Sequence, residues 1–152
     1  MGRWIGIDYG TRRIGVAISD FGGSIASPAE TLNATGTVPG DAVLVLQYAE
    51  KTDTDVLVVG LPLNMDGSDS DQTRLTRSFA RALSSSSDLE VILWDERLSS
   101  FQADQLLDAA QVRKSRRKGL RDTIAAQVML QSFLDARQIP PPPASELPYP
   151  ED

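Results

Sequence analysis

The residues of this chain best placed to do chemistry are carboxylates at the ends of apolar runs. Trp4-Ile5-Gly6-Ile7-Asp8 closes a β-branched stretch on an acid, and Glu90-Val91-Ile92-Leu93-Trp94 runs into Asp95-Glu96-Arg97-Leu98-Ser99 in the same way. A third acid, Asp122, opens the apolar stretch that continues to Arg137. A carboxylate at the mouth of a sheet loses solvation unless a cation or hydrogen-bond donors face it. A metal ion or a phosphate-bearing ligand is therefore the natural partner of Asp8. Two structural explanations stand beside that one: Asp8 as a turn cap, and Asp95, Glu96 and Asp122 as acids that complement helix dipoles.

Composition narrows the chemistry. The 152-residue chain contains no histidine and no cysteine, which removes imidazole bases, thiol nucleophiles, disulfides and ordinary zinc sites. Carboxylates, hydroxyls and lysine remain, and carboxylates suit hard cations such as Mg²⁺ or Mn²⁺. The formal net charge is −6, yet Arg113 to Arg121 carries six basic residues and no acid. Such a run is either a solvated loop or an electrostatic clamp for phosphates. The N-terminal Met1-Gly2-Arg3-Trp4 enters the strand pattern directly, without a signal-peptide pattern, and no apolar run is long enough to span a bilayer. The expected location is cytoplasmic.

The elements that must position these acids follow from hydrophobic periodicity. Trp4 to Ser19 reads as strand, tight turn and strand, with Gly10 and Gly15 supplying backbone conformations that a side chain obstructs. Ser24 to Leu32 is a third strand interrupted at Pro28, hence an edge or bulged strand. Asp41 to Lys51 is a helix with Asp41 as its cap. Asp55 to Gly60 is continuously apolar, as in a strand covered on both faces. The loop Leu61 to Gly67 follows, with Asp66 read as a turn residue before Gly67.

Asp71 to Leu83 is a helix whose Arg74, Arg77 and Arg81 form a stripe, either solvated or tracking a phosphate backbone. Asp95 and Glu96 face opposite sides if the strand continues through them, so only one can reach the site. Ser99 and Gln102 form a capping-box pattern for a helix to about Ala110. A helix from Asp122 to Arg137 carries small residues Ala125 and Ala126 on the face of Asp122, allowing close approach to the sheet. Pro140-Pro141-Pro142-Pro143 begins an acidic tail expected to be extended and disordered. The expected division is a folded domain over 1–138 and a tail over 139–152.

The order of strands, helices and acids resembles the α/β ribonuclease H-like fold, a mixed five-stranded sheet flanked by helices. More closely, the chain resembles the YqgF family, also called RuvX, of pre-16S rRNA nucleases and Holliday junction resolvases. Four segments carry the likeness: Ile7 to Ala17, Val59 to Gly67, Asp95 to Ser99, and Lys118 to Ala126. The resemblance implies a metal-dependent nuclease with Asp8, Glu96 and Asp122 as catalytic acids and as ligands of Mg²⁺ or Mn²⁺. It implies nucleic acid as partner, with precursor 16S rRNA favoured over branched DNA, and a monomer or homodimer. Arg12, Asn64, Arg97, Arg116, Arg117 and Lys118 are then expected along the nucleic-acid path. Family members often carry histidine where this chain has Trp94, so no role for that histidine transfers. A non-catalytic binding module on the same fold is one alternative. Another is a sugar kinase or actin-like ATPase, which shares the strand-turn-strand opening but needs a second domain that a chain of this length leaves no room for.

Overall fold

The computed structural model describes residues 2–98 and 114–138. Five strands form one mixed sheet: β1 (Arg3–Tyr9), β2 (Arg13–Ser19), β3 (Ala26–Asn33), β4 (Thr54–Leu61) and β5 (Glu90–Asp95), in the order β3-β2-β1-β4-β5. The β3-β2-β1 meander is antiparallel, whereas β4 and β5 run parallel to β1. The carboxyl ends of β1, β4 and β5 therefore share one edge of the sheet. Crevices outside that edge are where open α/β sheets bind ligands.

Alternation along the strands sorts side chains onto two faces. Ile5, Ile7 and Tyr9 of β1 pack with Leu57 and Val59 of β4 against helices α1 (Val38–Lys51) and α2 (Asp71–Ser85), through Val45, Phe79 and Leu83. The opposite face, built from Ala17, Val58, Ile92 and Trp94, is covered among the described residues by helix α3 (Lys114–Gln138). Met129, Leu130, Phe133 and Leu134 bury that helix, and each such side chain contributes roughly 1.5–3 kcal/mol. Gln127 and Gln131 hydrogen-bond the backbone of Ala26 at the start of β3, and Gln131 also donates to the Ser24 carbonyl just before it. Trp94 donates to Ser132 at 3.3 Å and meets the Phe133 ring edge-on at 5.4 Å.

Several local expectations are corrected. The α1 cap is Thr37, whose side chain accepts from the Gly40 amide. Asp41 lies inside the first turns, buried, accepting from the Tyr9 hydroxyl at 2.5 Å and from the Thr35 amide and hydroxyl. Three donors compensate the desolvation that would otherwise exclude a carboxylate there. Pro28 does lie on an edge strand, and the β2–β3 register slips beside it, between Val16 and Ala17. β5 is the opposite edge strand among the described residues and only half-buried.

The last helix starts at Lys114 and not at Asp122, because Arg, Lys and Leu are good helix formers and one glycine is tolerated. The basic segment from Lys114 onward is thus helical backbone rather than a loop. The expected helix from Ser99 to Ala110 and the proline tail lie outside the described residues. Among the described residues, no helix is long and apolar enough to cross a membrane.

Candidate active site

Asp8 is the penultimate residue of β1 and, by alternation with Trp4 and Gly6, belongs to the face covered by α3. β5 ends at Asp95, and the chain turns at Glu96–Leu98 into one 3-10 turn. That turn brings Glu96 onto the same face, over Gly60 at the end of β4. A Cβ at Gly60 would lie 2.5 Å from Glu96 Oε1 and 2.7 Å from its Cγ. Only a glycine lets this side chain lie flat across the strand.

Glu96 thereby meets Asp8 in a carboxyl–carboxyl hydrogen bond, which requires a proton between them. Burial first, and the Asp8 charge second, push the Glu96 carboxyl up to about 9. Asp95 faces the other way, into an ion pair with Arg97 at 2.7 Å that holds its carboxyl below the usual range. The alternation expected of these two neighbours is realised even though the strand stops between them.

Asp122 reaches the same face by a different route. Gly15 is the register partner of Asp8 across β1 and β2. A Cβ on Gly15 would lie 2.2 Å from the Asp122 carbonyl oxygen, so the α3 backbone rests directly on that glycine. Gly6 is a second such contact, 2.7 Å from Leu130 Cβ. Neither Gly10 nor Gly15 has a positive φ. The expectation that they supply special conformations is corrected: Gly15 is a docking surface, while a Cβ at Gly10 would meet the Arg13 carbonyl oxygen at 2.5 Å.

Ala125 and Ala126 are the small residues expected to let α3 approach the sheet. Of these only Ala126 is buried, and the sheet glycines make the rest of the room. The Asp122 carboxylate is engaged by Arg13, Nε to Oδ2 at 2.8 Å. Asp8 and Glu96 are thus brought together while Asp122 stands one strand away, and among the described residues no three acids form a metal-sized cluster.

The basic and polar candidates divide into engaged and open groups. Arg97 is committed to Asp95 and also donates to the Met65 carbonyl at 3.2 Å, tying β5 to the β4–α2 loop. Within that loop Asp66 accepts from the Ser68 amide and hydroxyl, the turn role expected of it, and Asn64 Nδ2 donates to Ser68 Oγ at 3.0 Å. Arg12 is exposed on the β1–β2 turn with no side-chain bond among the described residues. Arg116, Arg117 and Lys118 belong to the first turns of the α3 backbone. On α2, Arg74 pairs with Asp71 and Arg77 with Asp69, so the arginine stripe is largely neutralised on its own surface.

A family model described as RuvX, Holliday junction resolvase, matches residues 2–136. The chain belongs to the RuvX family. A relative from Endomicrobium trichonymphae named "Putative pre-16S rRNA nuclease" is 39% identical over 136 residues, covering 89% of this chain and 96% of the relative. A Myxococcus xanthus protein of the same name is 41% identical over 138 residues, covering 91% of each. Among solved structures, Thermus thermophilus RuvC in complex with a Holliday junction substrate superposes with a TM-score of 0.53 at 13% identity, covering 90% of this chain and 96% of that one. That likeness shows the ribonuclease H-like fold.

In this RuvX chain two features of the site have no sequence signature. Arg13 is one of two adjacent arginines with equal claim on an acid, and the partner of Gly60 lies 36 residues away at Glu96. Only the parallel pairing of β4 with β5 brings the latter two together.

Proposed function

We propose that the chain is a metal-dependent nuclease hydrolysing phosphodiester bonds, with precursor 16S rRNA as its favoured substrate and residues 1–138 as its catalytic unit. The observation that carries this reading is the Asp8–Glu96 pair at the carboxyl edge of the sheet. Two half-buried acids this close favour either a shared proton or a cation between them. Such a pair suits Mg²⁺ or Mn²⁺, which commonly take one or two carboxylates and leave their other positions to water and phosphate oxygens. Asp8 and Glu96 would hold the ion, with Asp122 as the third acid. When bound, the ion supplies a Lewis acid that lowers the pKa of a water and neutralises charge at the phosphate.

The protein's own groups do the rest. Glu96, kept flat against the strand end by Gly60, would act as an ion ligand in its ionised form, its proton passing to solvent. Arg12 on the exposed turn, and Arg116, Arg117 and Lys118 on α3, neutralise flanking phosphates. Asn64 and Arg97 form the rim through the β4–α2 loop. A cytoplasmic location accompanies this reading.

The test is Asp8→Asn, assayed for Mn²⁺-dependent cleavage of a precursor 16S rRNA fragment and, in parallel, for binding of that RNA. Cleavage should fall by about a hundredfold or more, the scale of losing an electrostatic catalytic group, with RNA binding retained. Unchanged cleavage removes Asp8 from the mechanism. Metal binding without turnover in the wild type supports a binding module instead. The description of the matching family favours a second substrate, the four-way DNA junction. Running that junction beside the RNA, with oligomeric state measured, decides between them, since two-fold junction cleavage calls for a dimer.

A further inference from the structure

Among the described residues the Arg13 side chain makes one hydrogen bond, through Nε, to the acid that stands apart from the other two. Its terminal nitrogens make no hydrogen bond among the described residues, and its side chain is 37% exposed. Arg13 opens β2, two residues before the glycine paired with Asp8 and so on the same face of the sheet, one strand away from the Asp8–Glu96 pair. We propose that Arg13 is exchanged between Asp122 and the scissile phosphate. Without substrate it neutralises Asp122; an arriving phosphate takes over the guanidinium and leaves the carboxylate to complete the site with Asp8 and Glu96. This rests on the nuclease reading and adds to it a residue that couples phosphate arrival to completion of the acid cluster.

Physical chemistry favours the exchange. A one-point ion pair between partly exposed groups is weak and readily given up. A phosphate offers the same guanidinium two parallel, charge-assisted bonds. The negative charge of Asp122 and of the Asp8–Glu96 pair also repels a nucleic-acid backbone, and a cation already stationed on Asp122 lowers that barrier before any metal is bound.

The test compares Arg13→Gln and Arg13→Lys with wild type by calorimetric titration of the substrate-free protein with Mn²⁺ alone, and by steady-state cleavage of the precursor RNA fragment. With no competing cation on Asp122, Arg13→Gln should bind Mn²⁺ about fivefold more tightly, the factor expected when a partly exposed pair is removed, while its cleavage rate falls about tenfold or more. Opposite movements of metal affinity and turnover are not expected from a residue that only holds the fold. Arg13→Lys keeps the charge without the bidentate fork, so its Mn²⁺ affinity should stay near wild type and its turnover should be intermediate.

Unchanged or weakened Mn²⁺ binding in Arg13→Gln, with an active wild type, overturns the exchange and leaves the nuclease reading standing. A wild type that neither binds Mn²⁺ nor cleaves overturns both. Urea unfolding of each variant checks that it remains folded; if Arg13→Gln does not fold, an Arg13→Lys protein with wild-type turnover overturns the proposal.

Discussion

Replacing Glu96 by Gln should abolish a pH dependence of stability that the wild-type protein owes to one buried proton. The ordinary value for this carboxyl is 4.5, and burial against Asp8 raises it to about 9 in the folded state. Between those values the unfolded chain is ionised and the folded chain is not, so folding takes up a proton. The stabilising effect is complete below the unfolded value and is lost as pH rises through the folded one. One full proton corresponds to about 1.4 kcal/mol per pH unit. With the charge shared by two groups, about 1 kcal/mol per unit is expected, or about 3 kcal/mol between about pH 5.5 and 8.5. That is a large part of the total stability of a domain this size.

Little else interferes in that window, because the chain has no histidine and no cysteine. Asp20, Asp66, Asp69 and Asp95 have lowered values, so their contributions disappear only under acid conditions, below the window. Urea unfolding in EDTA across the range should give a falling midpoint for wild type and a nearly flat one for Glu96→Gln, with the variant the more stable at the alkaline end. A flat wild-type curve, or the same slope in both proteins, refutes the buried proton and with it the main support for the cation site.

Three further outcomes follow from distances already given. Gly60→Ala places a methyl 2.5 Å from Glu96 Oε1; the carboxyl swings away, so the protein stays folded while calorimetry shows Mn²⁺ affinity down about tenfold or more and urea midpoints lose their pH slope. Gly15→Ala sets a methyl against the Asp122 backbone at 2.2 Å. Backbone cannot swing, and thermal or urea unfolding should register a loss of about 2–3 kcal/mol or more. Tyr9→Phe removes one of three donors to buried Asp41, and urea unfolding should show a loss of about 1–3 kcal/mol.

What the sequence made legible was whatever is local and periodic. The β-branched run into Asp8, the unbroken apolar run of β4 and the opposed directions of Asp95 and Glu96 each follow from strand geometry alone. The edge position of β3 followed from one proline. Helix starts were less legible. Thr37, followed by Pro39, is an ordinary cap sequence, but Asp41 drew the boundary inward, and its real partner, Tyr9, is 32 residues away. The start of α3 was hidden because a dense cationic run reads as solvated loop, although its residues favour helix.

The roles of Gly15 and Gly60 were not available at all. A glycine in a strand signals a bulge, a bend or a close neighbour equally well, and the neighbours here arrive from positions 122 and 96. The pairing of Asp122 with Arg13 spans 109 residues and depends on how deeply α3 seats on the sheet.

The seam between β5 and α3 carries its own optical reporter. The chain has two tryptophans: Trp94 lies two residues from Glu96, bonded to Ser132 and edge-on to Phe133, while Trp4 lies near the start of β1 under the Arg137 guanidinium at 4.5 Å. A Trp4→Phe protein would therefore emit mainly from the indole beside the carboxyl pair. Cation entry at that end of the sheet could then be followed in real time, on unlabelled protein, by emission alone.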